Sequence, residues 1–310
     1  MSPDRRRIIG RSARLAAALG LACAAWPAGS LVAVPAPAPW RRPLPGSRDT
    51  LPVIGLGTAN TFDVGPEPAE RAPLAEVLAL LLQTPGAVID TAPSYGSAET
   101  VTGDLLQQAH ARGKVFLATK ISASAGSAAQ AQWAQSLRAL RSDTVDLLQV
   151  HNLIDWRGNL RFARQLKEQG KTRYIGITHY REDAHEALAQ IVRGERLDFV
   201  QLNYSVAERN AERALLPLCQ ERGVAVLVNR PFQDGRLFRA VKDRPLPNWA
   251  GEIDCASWAQ IFLKFIVGHG AVTAAIPATA KPRNMQDNLG AGFGRMPDAR
   301  QRERIAALLA

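Results

Sequence analysis

Asp90, Tyr95, Lys120 and His151 each stand where, or just after, an apolar run gives way to polar sequence. The first two lie in Val88-Ile89-Asp90-Thr91-Ala92-Pro93-Ser94-Tyr95-Gly96. Its first half is short, apolar and largely β-branched and ends in an acid, which is how a strand buried on both faces reads where it surfaces. Pro93, Ser94 and Gly96 then form a turn and Ser97-Ala98-Glu99 opens a helical pattern, so Asp90 and Tyr95 occupy a strand-to-helix junction. Two further runs, Val115-Phe116-Leu117-Ala118 and Val145-Asp146-Leu147-Leu148-Gln149-Val150, deliver Thr119-Lys120 and His151. A phenol that titrates near ~10 in water is a poor acid at neutral pH unless neighbours stabilise its anion. An ammonium beside it does so, a carboxylate keeps that ammonium charged and oriented, and an imidazole can polarise a carbonyl. Singly, each residue has a plainer reading as a cap, a solvated lysine or a core histidine. In this order they specify a site that gives up a proton.

Such a site needs strands whose C-terminal ends meet. Eight strand-like runs are present: Val53–Gly57, Val88–Asp90, Val115–Lys120, Val145–His151, Tyr174–Thr178, Phe199–Asn203, Ala225–Asn229 and Ala274–Ile276. Between them lie helical patterns at Ala69–Gln83, Ala98–Ala111, Ala128–Leu140, Leu160–Gln169, Ala184–Val192, Ala211–Arg222 and Ala256–Val267. Strict alternation predicts a parallel sheet, and eight units close a barrel. The fold class is therefore α/β, a single (β/α)8 TIM barrel over residues 40–310, whose catalytic face is the end where the four residues emerge. A doubly wound open sheet is the alternative, but no G-x-G-x-x-G follows the first strand. Arg41 to Asp49, with Pro43, Pro45 and Gly46, predicts a hairpin closing the barrel bottom, and Pro52 is tolerable as the start of the first strand.

The Asp90, Tyr95, Lys120 and His151 set, in this order, resembles that of the aldo-keto reductase family, barrel enzymes that use a nicotinamide cofactor. The resemblance spans about residues 40 to 298. It implies reduction of an aldehyde or ketone by hydride transfer, with Tyr95 as general acid, Lys120 and Asp90 tuning it, and His151 orienting the carbonyl. Leu56-Gly57-Thr58 is similar to the family's first strand, whose end touches the cofactor; the tryptophan that often follows is replaced by Ala59 and Asn60. Gly176-Ile177-Thr178-His179 stands where the family carries Ser-Asn for the nicotinamide carboxamide, so Thr178 keeps the hydroxyl and His179 replaces the amide. Gln201-Leu202-Asn203-Tyr204 supplies Gln201 as a second carboxamide ligand and Tyr204 as the aromatic platform under the ring. Arg230, before Pro231, is placed to contact the pyrophosphate. Ile276 to Asn288 resembles the adenosine end, a loop feeding a helix N-terminus with Thr279, Lys281, Arg283, Asp287 and Asn288 as ligands. Some relatives carry a lysine directly after the Ile-Pro and an arginine at position 284; here Lys281 and Arg283 take over the 2′-phosphate, which favours NADP(H) over NAD(H). Trp156, Phe232 and Trp249 either line the substrate pocket or pack.

Residues 1–39 stand apart. Arg5-Arg6-Arg7-Ile8-Ile9 with Arg11 and Arg14 is a charged head, Leu15 to Ala25 an apolar body, and Pro27 to Pro39 small and proline-rich. That layout is an export signal, and the paired arginines followed by two apolar residues look like the twin-arginine type, so a periplasmic location is expected. An uncleaved membrane anchor or a basic tail are the other readings, with cleavage near Ala28-Gly29-Ser30 or Ala36-Pro37-Ala38. Of the net +10, the first 33 residues hold +4, five arginines against Asp4, leaving +6. The remaining cations are scattered along helices without interleaved aromatics, which describes a solvated surface and not a nucleic-acid site. Cys219 and Cys255 are too few for a disulfide framework and are expected as buried thiols. A monomer acting on a small carbonyl, with no metal ligand set, is the expectation. A second function class is a barrel that binds the nicotinamide as a sensor or assembly subunit with negligible turnover. A third, sugar hydrolysis, needs two spaced carboxylates at strand ends, and only Asp90 qualifies.

Overall fold

The computed structural model describes residues 38–309, so the export-signal reading lies outside the described residues but for Ala38 and Pro39. Arg41–Pro43 (β1) and Thr50–Pro52 (β2) pair antiparallel with Arg41 opposite Pro52, the hairpin expected from its prolines and glycine. Pro52 therefore closes a hairpin strand, and the first barrel strand is only Leu56–Gly57 (β3). The chain then alternates without exception up to β9: Pro68–Leu81 (α1), Val88–Asp90 (β4), Ala98–Gln108 (α2), Phe116–Ile121 (β5), Ser127–Ala139 (α3), Val145–His151 (β6), Trp156–Glu168 (α4), Thr172–His179 (β7), His185–Gly194 (α5), Phe199–Asn203 (β8), Leu215–Arg222 (α6) and Ala225–Asn229 (β9). Arg236–Ala240 (α7) and Trp258–Val267 (α8) precede Ala274–Ala275 (β10), and Pro282–Gly290 (α9) and Ala299–Ala306 (α10) end the chain.

β3 to β10 form one eight-stranded parallel sheet in sequence order. Bridges from Ile54 to Ala275 and from Gly57 to Ala278 join its two edges, so the sheet closes into the expected barrel. That closure requires glycine: a Cβ at Gly57 would stand 2.7 Å from the Ile276 carbonyl oxygen.

Side chains alternate in and out along each strand. Below the mouth the inward positions are apolar, with Val88, Phe116, Ala118, Leu147, Phe199, Leu227 and Ala274 packed together and Leu44 and Leu51 of the hairpin plugging the base. Phe116, Tyr174 and Phe199 pack there in tilted and edge-on pairs with centroids 5.6–5.8 Å apart. The outward positions meet the helices in two further clusters, for example Ile89 and Leu117 under α1 and α2, and Ile177, Val200 and Val228 under α5, α6 and α8. α8 is buried along almost its whole surface, because α9 and α10 cover the side that the barrel does not.

Two helices begin elsewhere than periodicity suggested. α4 starts at Trp156 and not Leu160, because Gly158, which reads as a loop residue, is needed for close approach: its Cβ would lie 2.4 Å from that of Ala125. The segment 211–222 divides into a 3-10 turn, Asn210–Arg213, and α6, whose Pro217 falls in the first turn where no amide donor is required.

Candidate active site

The polar layer is the upward continuation of the inward-facing rows. Asp90 follows Val88, Lys120 follows Ala118, Gln149 and His151 follow Leu147, Gln201 and Asn203 follow Phe199, and Asn229 follows Leu227. Parallel pairing sets them side by side, with Lys120 opposite Gln149, His151 opposite Thr178, Thr178 opposite Gln201 and Asn203 opposite Asn229.

Lys120 is wholly buried and donates to Asp90 Oδ1 at 2.5 Å and to the Thr91 carbonyl at 2.8 Å. Its Nζ lies 4.8 Å from the centroid of the Tyr95 ring. Burial by itself lowers the lysine pKa, but Asp90 and then Tyr95 outweigh it and hold the ammonium above its ordinary 10.5. The second oxygen of Asp90 accepts from Gln149 Nε2 at 3.0 Å and Gln201 Nε2 at 2.8 Å. The His151 ring stands edge-on to Tyr95 with centroids 5.8 Å apart, and its Nδ1 lies 3.3 Å from Ser94 Oγ. Burial, helped by the charges of Lys120 and His179, lowers the His151 pKa to about 3, so the imidazole is neutral at physiological pH. The four residues singled out from sequence are thus brought around one point.

The predicted cofactor residues divide. Thr178 and Gln201 lie together in the polar layer, Thr178 Oγ1 3.2 Å from Gln201 Oε1, which also accepts from Asn229 Nδ2 at 3.2 Å. Gln201 Nε2 is already held by Asp90 and by Gln149 Oε1. His179 and Asn152, next to this layer in the chain, line a cleft of about 430 Å³ together with Tyr180, Arg181, Asp183 and Ala184. The His179 ring stacks on Tyr180 at 5.5 Å, and burial lowers its pKa despite Asp183. Thr58 is buried and donates its hydroxyl to the Asp90 carbonyl at 3.1 Å. Arg230 binds Asp234 at 2.8 Å and the Tyr180 carbonyl at 3.1 Å, contacts within its own chain. In α9 and the loop before it, Lys281 and Arg283 are exposed, the Thr279 hydroxyl accepts from the Lys281 amide at 3.1 Å, Asp287 accepts from Gln260 at 2.8 Å, and Asn288 is buried.

Tyr204 requires a correction. It is completely buried, its hydroxyl donates to Glu212 and accepts from Arg302 of α10, and its ring packs on Phe265, so it offers no face to a cleft. The apparent motif misled because the residue after β8 turns outward, under α8 and α10, instead of into the mouth. Trp156, Phe232 and Trp249 pack against the same outer core. Gln149, Asn229 and Ser94 are the site residues the sequence reading missed. Gln149 carried a signal: an amide at an inward position of an apolar strand, two residues before His151.

The residues present suit a nicotinamide dinucleotide. The buried Asn229 Oδ1 has no hydrogen-bond partner in this layer and is an acceptor for an amide N–H, and two cations flank the start of α9. The model of the Aldo/keto reductase family matches residues 53–308. The methylglyoxal reductase YeaE of Escherichia coli (strain K12) is 30% identical over 250 residues, 77% of this chain and 84% of that protein. An NADH-specific methylglyoxal reductase of the same organism is 28% identical over 245 residues, covering 67% and 72%. Among solved structures, an aldo/keto reductase from Klebsiella pneumoniae in complex with NADP and acetate superposes with a TM-score of 0.73 at 26% identity, over 86% of this chain and 94% of that one. With a closed eight-stranded barrel and a buried Asp–Lys pair beside a tyrosine and a histidine at its mouth, the chain belongs to the aldo/keto reductase family of NAD(P)H-dependent, carbonyl-reducing enzymes.

Proposed function

We propose that the protein reduces a small aldehyde or ketone, Tyr95 delivering the proton to the carbonyl oxygen, and that NADP(H) is its preferred cofactor. The observation that carries this is the Lys120 ammonium, clamped by Asp90 at 2.5 Å and held 4.8 Å from the Tyr95 ring. As Tyr95 gives up its proton, the fixed ammonium stabilises the phenolate that forms, at no reorganisation cost. Neutral His151 donates a hydrogen bond to the same oxygen and turns the carbonyl carbon toward the hydride donor. Bound cofactor supplies the hydride. Thr178 and Asn229 present a hydroxyl and an amide to its carboxamide, with Gln201 behind them. Lys281 and Arg283 support a 2′-phosphate, hence NADP(H).

The two relatives named for methylglyoxal make that small dicarbonyl the first substrate to assay. Purified protein, NADPH and a panel of simple aldehydes test the reading: turnover is expected, and its reduction to background by Tyr95→Phe. Turnover undiminished in Tyr95→Phe removes Tyr95 from the role. Lys281→Ala/Arg283→Ala is expected to weaken NADPH binding about tenfold with NADH unaffected; equal effects on both would remove the phosphate contact. A nicotinamide-binding subunit without turnover is not favoured, since the catalytic set is complete and the named relatives are reductases.

The arginine-led N-terminal segment supports export of this enzyme by the twin-arginine route, as a monomer folded around its cofactor before transport. Cell fractionation and gel filtration test this; full-length protein confined to the cytoplasm is the adverse result.

A further inference from the structure

Carbonyl polarisation asks something specific of His151. A neutral imidazole carries one proton, on either Nδ1 or Nε2, and only the nitrogen bearing it can donate to the substrate oxygen. Nδ1 of His151 faces Ser94 Oγ at 3.3 Å. Were the proton on Nδ1, it would be spent on the serine oxygen, and Nε2 would meet the carbonyl lone pair to lone pair. Among the described residues the Ser94 hydroxyl has no other hydrogen-bond acceptor, so its own proton is free to point at Nδ1. Ser94 is exposed and lies in the turn between Asp90 and Tyr95, which places it beside the ring without giving it any part in the core. The surroundings of His151 also disfavour a second proton, because burial and the Lys120 charge oppose an imidazolium.

We propose that Ser94 is a positioning residue that donates to His151 Nδ1 and so fixes the imidazole as the Nε2–H tautomer, the form able to donate to a substrate carbonyl. This rests on the assignment of His151 to carbonyl orientation, and it adds to that assignment the group that decides which nitrogen carries the proton. Ser94 touches neither substrate nor cofactor in this scheme and acts only through the ring.

The test uses full-length protein with 15N-labelled histidine, whose five histidines give separable ring signals; His151 is assigned by its loss in His151→Gln. At neutral pH the wild-type His151 pattern is expected to show a protonated Nε2 and a bare Nδ1. In Ser94→Ala the pattern should shift toward a mixture of tautomers or to Nδ1–H, with kcat falling about three- to tenfold, the worth of one lost hydrogen bond, and KM for NADPH unchanged. Ser94→Thr, which keeps the hydroxyl, should restore both. An Nδ1–H wild type, or a Ser94→Ala protein still entirely Nε2–H, overturns the proposal. The nitrogen signals are read without turnover, so inactivity toward every carbonyl would strike the reductase reading alone.

Discussion

Replacing Lys120 by methionine keeps most of the side-chain volume and removes one charge. In the intact protein that charge is wholly buried, 2.5 Å from Asp90 Oδ1, and faces Tyr95 at 4.8 Å from its ring centroid. Two unit charges at about 4.8 Å in an effective dielectric of ~20 interact by about 3.5 kcal/mol. A phenolate half developed in the transition state would therefore lose about 1.7 kcal/mol and one fully developed about 3.5, and each ~1.4 kcal/mol is tenfold in rate. The expected fall in kcat lies between about 20-fold and 300-fold. Stability responds as well. Breaking a buried pair by removing one partner costs about 3–5 kcal/mol, and the lower end applies because Asp90 keeps Gln149 and Gln201 as donors. Single-turnover reduction with saturating NADPH gives the chemical step, and urea denaturation gives the stability. A further signature comes with alkali. The Lys120 pKa is raised in the folded state, so the pair stabilises fully below the unfolded lysine value and is lost as pH climbs through the higher folded one, above about 10.5. Lys120→Met should lack that alkaline decline. A variant with kcat within threefold of wild type and an unchanged urea midpoint would refute the reasoning.

Three other outcomes follow from the same geometry. His151 titrates near 3 when folded and near 6.5 when unfolded, so the unfolded chain binds the extra proton first. Stability should fall between about pH 6.5 and 3, on the order of 5 kcal/mol, and His151→Gln should flatten that part of the curve in pH-dependent denaturation. Gln149→Leu takes one donor from Asp90 and one acceptor from Gln201; about 1–3 kcal/mol of stability and a weaker NADPH affinity are expected, and unaltered calorimetric binding would separate Gln149 from the cofactor side. Arg302→Ala strips Tyr204, Glu212 and the Phe265 carbonyl of a shared donor and should cost about 2–4 kcal/mol while leaving KM unchanged; a shifted KM would show that this outer cluster reaches the mouth.

The barrel was legible because its strands are short, continuously apolar and bounded by turn formers. β4, β6, β8 and β9 fall on the residues that periodicity gave. β3 was not, since only Leu56 and Gly57 form a continuous strand, while Ile54 reaches Ala275 through a separate bridge. The four candidate residues at the mouth were readable for a related reason: several charged or aromatic side chains at the ends of successive apolar strands have few structural uses in common. Tyr204 shows the limit of that logic. One residue beyond a strand, the backbone chooses its direction from tertiary packing, and here Glu212 and Arg302, 8 and 98 residues away, draw the ring outward. Ser94 was invisible as a positioning group because its partner, His151, is 57 residues distant.

The barrel closes through the bridges of Ile54 with Ala275 and of Gly57 with Ala278, and Arg302 of α10 ties into the outer cluster at Tyr204. A nascent chain leaves the ribosome N-terminus first, so β3 emerges before the other strands of the sheet and waits, its outer edge unpaired, until β10, the last of them, has been made. Closure consequently follows the making of every other strand of the barrel, and a lone β3 edge is the last to find its partner.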